Sequence, residues 1–182
     1  MSCCAACLAI SLASGPASSN YAYLQTPGAG IGSFARSSVG QTFTTGAECV
    51  ILSSFTLGLL PPGGAGLVQI TALLYTYDLT TDRVTGSRLA DQSTSARLTD
   101  SSLTVTFPQP VQLSPATSYA IILTTAGQGQ AALSSEIDLR RSQPGSEIPG
   151  GKWILQNSGD NPSSIESNNF LGITGNLDIT IN

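Results

Sequence analysis

Apolar residues in this chain recur at every second position in short runs, and proline or glycine cuts each run. Leu103, Val105 and Phe107 alternate with Ser102, Thr104 and Thr106 until Pro108 and Pro110 end the pattern. A period of two sends successive side chains to opposite faces of an extended backbone, so each run reads as a strand with one apolar face. Gln41 to Thr45 alternates in the same way and stops at Gly46. Ile51 to Leu60 places Ile51, Ser53, Phe55, Leu57 and Leu59 on one face, ahead of Pro61-Pro62-Gly63-Gly64. Leu67 to Tyr77 offers Val68, Ile70, Leu74 and Tyr75 to a core, and Thr80 to Arg83 with Gly86 makes a turn-rich connection. Arg88 to Leu98 is polar and reads as a crossing between sheets. Val111 and Leu113 lead into Ser114-Pro115, Tyr119 to Thr125 is the richest strand, and Lys152 to Gln156 holds the one tryptophan. Leu177, Ile179 and Ile181 close the series. Ala131 to Arg141 is the one stretch suited to a short helix or turn. Strands at this spacing, with no sustained helical period, predict an all-β fold: an antiparallel β-sandwich, jelly-roll-like in its many short strands.

The 182 residues suit one domain with a substantial core. Between Met1 and Ala35 there is no Asp, Glu, Lys or Arg; Arg36 is the first. Small residues dominate that stretch, with Tyr21, Tyr23 and Leu24 among them. It has too little helical periodicity for a core helix and too little charge for a well-solvated tail. The chain therefore divides into an uncharged N-terminal arm, 1–35, and a sandwich, 36–182, with the arm lying along its own domain or a neighbour. Three of the four cysteines, Cys3, Cys4 and Cys7, crowd the arm, and Cys49 lies in the domain. A disulfide to Cys49, a four-thiolate zinc site and simple packing as small semi-apolar residues are all compatible with this spacing.

Charged residues make up 10% of the chain, against roughly 25% in an ordinary soluble domain. The net charge is −4, with six arginines and the single lysine Lys152, and no basic run. Binding to nucleic acid by phosphate neutralisation is therefore not expected. No apolar run approaches the roughly 20 residues of a membrane span, and Cys3 to Ala13 lacks the basic flank of a secretory signal. A surface so poor in lysine and rich in Ser, Thr and Gly has little repulsion to keep copies apart.

The sequence contains no histidine, which removes Ser-His-Asp and Cys-His catalysis and every histidine-ligated metal. Glu48, Glu136, Glu147 and Glu166 stand in turn-like contexts with no spacing that asks for a glycosidase pair. No enzymatic activity and no cofactor are expected. Calcium is the one ion considered, through Asp78 and Asp82 or through Asn157, Asp160 and Asn161, although Asp and Asn are ordinary turn formers. Tyr75, Tyr77 and Trp153 would form a glycan platform if their strand faces were exposed, and core if internal.

The segment from about residue 38 to 125 resembles the bacterial choice-of-anchor type of extracellular β-sandwich domain. The resemblance rests on Gly40-Gln41-Thr42-Phe43-Thr44-Thr45-Gly46, the strand Ile51 to Leu59, Gln69-Ile70, and Leu113-Ser114-Pro115-Ala116-Thr117-Ser118-Tyr119 with Ala120 to Leu123. It implies a non-enzymatic sandwich displayed outside a cell. No basic-flanked hydrophobic C-terminal anchor is present, which shifts the expectation from a tethered domain toward an assembled one. The expected role is thus a structural or adhesive subunit of a surface assembly, such as a virion decoration, fibre or neck protein or an extracellular surface protein. Its expected partners are copies of itself, neighbouring subunits and surface glycans; a lectin-like carbohydrate-binding module is the alternative.

Overall fold

A computed structural model of the chain describes residues 12–13, 17–25, 35–60, 66–127, 136–142, 148–156 and 161–182, with side chains from Ser37 onward except that of Glu136. The strands are β1 (Leu12–Ala13), β2 (Ala17–Gln25), β3 (Ala35–Arg36), β4 (Ser38–Thr44), β5 (Val50–Leu60), β6 (Leu67–Asp78) and β7 (Arg83–Arg97). They continue as β8 (Ser102–Leu113), β9 (Ser118–Thr124), β10 (Glu136–Ser142), β11 (Lys152–Gln156), β12 (Leu171–Thr174) and β13 (Ile179–Ile181), with a single-turn helix α1 (Ser164–Ser167) before β12. One sheet runs β1-β13-β5-β10-β2-β3, with β8 also paired to β5; the other runs β12-β11-β4-β9-β6-β7. Every pairing between strands is antiparallel except the short β2–β3 contact.

The two sheets close on one core, as expected of an antiparallel β-sandwich. Leu52, Phe55, Leu57 and Leu59 of the first sheet meet Val39, Phe43, Ile70, Leu74, Ile121 and Leu123 of the second. Leu103, Val105, Phe107, Leu177, Ile179 and Ile181 join them from alternating positions, as their period of two requires.

Three local expectations differ from the structure. In β5 the phase of the alternation reverses: Val50 and Leu52 are buried, then Phe55, Leu57 and Leu59, while Ile51 is exposed. A bulge in β5 is responsible: the Ser53 and Ser54 N–H groups both donate to the Asn182 carbonyl, so two residues of β5 stand opposite one. β8 bulges at the same level, where Leu52 pairs with Val111 and Ser54 with Thr106, so that the residues from Phe107 to Pro110 lie opposite Ser53 alone. Pro108 and Pro110, which have no N–H to give to a ladder, fall inside that bulge. Arg88 to Leu98 does not cross between sheets but continues β7, hairpin-paired to β6; the crossing is the turn that follows, before β8. Residues 136–141, expected as part of a helix or turn, belong to β10, because Ile137 and Leu139 share one pleat face and both reach the core.

Part of the uncharged N-terminal stretch lies along its own domain. Residues 17–25 pair in antiparallel register with β10, from Gln25 opposite Glu136 to Ala17 opposite Ser142. Leu12 and Ala13 pair with Ile181 and Thr180.

The second sheet is apolar on both faces. Leu73, Tyr75 and Tyr77 of β6, Ala120 and Ile122 of β9 and Ile154 of β11 form a second cluster on its outer side. Ile165 of α1 and Phe170 cover that cluster. After β12 the chain passes to the first sheet through Gly175, whose φ of 108° suits glycine far better than any other residue. Gln41, buried among core residues, catches the chain there. Its Nε2 donates to Asn176 Oδ1 at 2.8 Å, and its Oε1 accepts the Leu177 N–H at 2.7 Å.

Candidate interaction surface

The aromatic residues considered for glycan contact are core residues. Tyr75 is 2% exposed and Tyr77 and Trp153 are 5% exposed, so none offers a ring to solvent. Tyr75 and Tyr77 point to the outer face of their sheet, but α1 and Phe170 cover that face; the Phe170 ring meets Tyr77 edge-on at 6.3 Å. Trp153 faces the opposite way, into the sandwich, with the Arg141 guanidinium 5.0 Å from its ring centre. Period-two reading names the two faces of a strand but does not reveal that a later segment covers the second one.

The polar groups around this covered face hold it shut. Tyr75 donates its hydroxyl to Glu166 Oε1 at 2.8 Å, and Tyr77 reaches Asp82 Oδ1 at 3.4 Å. Burial, reinforced by those carboxylates, holds both phenols protonated far above the ordinary tyrosine value. The single lysine spans the same rim: Lys152 Nζ lies 3.0 Å from both Asp82 Oδ1 and the Leu79 carbonyl. Asp82 has φ of 52°, and its carbonyl accepts the Phe170 N–H at 2.7 Å, tying the β6–β7 turn to the covering segment.

Of the carboxylates considered for calcium, Asp82 is engaged by Lys152 and Tyr77 and Asp78 by its own turn. Asp78 Oδ2 accepts the Thr81 hydroxyl at 2.8 Å and Oδ1 accepts the Thr80 N–H at 2.8 Å, bonds that lower its carboxyl below the ordinary value. Asn161 Oδ1 accepts the Ser163 N–H at 3.1 Å; Asn157 and Asp160 lie outside the described residues. Among the described residues no three Cys, Asp or Glu side chains converge. Cys49 is half-buried and its Sγ accepts from Gln112 Nε2 at 3.0 Å. Cys3, Cys4 and Cys7 lie outside the described residues. Tyr21, Tyr23 and Leu24 sit on β2, opposite Arg140, Asp138 and Ile137. No described helix is long and apolar enough to cross a membrane.

What the fold presents outward is a set of strand edges, and they differ sharply. β12 is four residues long and includes Gly172, and β3 is two residues long. β8 is interrupted by its double-proline bulge. β7, the edge of the second sheet, is fifteen residues long with no proline and no lysine; it bulges at residues 86–89, which lie opposite Tyr75 alone, and pairs regularly with β6 from Ala90 to Arg97. From Gln92 to Ala96 it carries no charge. Proline, lysine, bulges and shortness are the usual guards of a sheet edge, and this stretch of β7 has none of them. No protein-family model matches the chain, and no curated protein matches it.

Proposed function

We propose that this chain is a non-catalytic structural or adhesive subunit of a surface assembly, in which it contacts copies of itself. A virion decoration, fibre or neck protein, or an extracellular surface protein, is the setting that fits best. The observation that carries this reading is the uncharged, Ser/Thr-rich Gln92–Ala96 edge of β7 on a sandwich whose described aromatic side chains are internal. The resemblance of residues 38–125 to extracellular choice-of-anchor sandwiches supports the same reading, as do the scarcity of charge and the lack of histidine. Among the described charged groups, Lys152, Asp82, Glu166, Arg140 and Asp178 are committed to contacts that brace the fold. Sedimentation velocity on the purified chain over a wide concentration series should reveal species larger than the monomer. A single monomeric species at every concentration would overturn the proposal.

A further inference from the structure

We infer that β7 is a self-pairing edge: two copies of the chain join their second sheets through antiparallel β7–β7 pairing about a twofold axis at Thr94. This rests on reading the chain as a repeated subunit, and it names the surface used. The Leu98 N–H donates to the Gly66 carbonyl, so Leu98 turns its main-chain groups toward β6. Along an antiparallel strand that orientation alternates. Ala96, Thr94 and Gln92 therefore face β6, and Asp91, Ser93, Ser95 and Arg97 face away from the sheet. Arg97 is tied off, its N–H donating to Asp100 Oδ2 at 2.7 Å and its carbonyl accepting the Asp100 N–H at 3.0 Å. Ser93 and Ser95 keep their N–H groups pointing off the edge, where no described strand pairs with them. The Gln92 amide donates to the Ser93 carbonyl at 2.6 Å, which leaves that oxygen a second lone pair.

Charge then selects the occupant and the register. Asp91 and Arg97 lie on the same, outer face of β7, opposite Leu73 and Leu67 of β6, and both are exposed. Asp91 also meets Arg88 of its own chain at 3.4 Å, with both side chains still about half exposed. An antiparallel copy centred on Thr94 sets Asp91 of each chain against Arg97 of the other, twice by symmetry. Arg88 and Asp100 share that midpoint. Shifting the centre by one residue either way removes the Asp91–Arg97 opposition. The same register sets Ser93 against Ser95, so each pair can exchange both main-chain hydrogen bonds, with Thr94 facing Thr94 across the axis in the closer, non-hydrogen-bonded position. Small side chains at Ser93, Thr94 and Ser95 let two backbones approach. The interface is small, so the affinity expected is on the order of micromolar.

The test is Thr94→Cys in the full chain, oxidised gently and mapped by peptide mass spectrometry so that the native cysteines are told apart. The geometry predicts a disulfide between the two introduced thiols, one from each chain, since Cα atoms in that position stand about 4.5 Å apart. Gln92→Cys is the control: its two copies would be about 13 Å apart and should not bridge. Ser93→Pro, which removes an edge N–H without touching the ladder to β6, should raise the dissociation constant about thirtyfold. Oligomers in which Thr94→Cys forms no bridge between chains, or equal cross-linking of Gln92→Cys, would overturn the β7 assignment and leave the subunit reading standing. A chain monomeric at every concentration would overturn both.

Discussion

Gln41 illustrates how one buried side chain holds a corner of the fold. Its amide stands among core residues at 1% exposure and meets two groups of the passage between β12 and β13. Gln41→Leu keeps the approximate volume but strips the Leu177 N–H of its acceptor. The loss expected is about 2–4 kcal/mol, the cost of leaving buried polar groups unpaired. Urea denaturation should register it as a lower midpoint with an unchanged slope; a change below the error of the method would sink this account. The neighbouring Phe43 was legible in the sequence as a core residue because it alternates. Gln41 was not, because a glutamine in a strand reads as polar whether water or a distant asparagine satisfies it.

At the scale of elements, α1 and the residues leading to Phe170 serve as a cover. A sheet in a sandwich normally turns its outer face to solvent, yet Leu73, Tyr75, Ile122 and Ile154 on that face are buried. Phe170→Ala should cost about 3–4 kcal/mol and raise binding of a hydrophobic dye, since the face beneath it opens. Unchanged melting with no added dye signal would show that the cover is ornamental. The strands themselves were largely legible, since β8 and β13 follow their apolar alternation closely and β9 is a continuous apolar run. The cover was not, because Ile165 and Phe170 stand in a polar stretch without a period. Nor was the phase change in β5, which depends on the register of its partner strand.

Over the whole molecule, the two covered tyrosines set a limit on alkaline stability. Both phenols have folded-state values raised above the unfolded value of about 10, chiefly by burial. Their contribution is therefore complete below about pH 10 and is lost as the pH rises toward the folded values, because the unfolded chain releases those protons first. Stability measured by urea should fall steeply above about pH 10, and the fall should be shallower in a Tyr75→Phe/Tyr77→Phe variant. Phenolate absorbance from these two rings should appear only with unfolding; their titration in the folded protein would refute the account. The topology carries another consequence. β4 needs β11 as one neighbour, and β13, the last strand described, pairs with the centre of β5. A nascent chain that has released β4 to β9 into solution still holds a sandwich with an empty lane beside β5. Closure must wait for Ile181 to clear the ribosome, so during synthesis the chain spends its most adhesive moments unfinished, when a chaperone would find it.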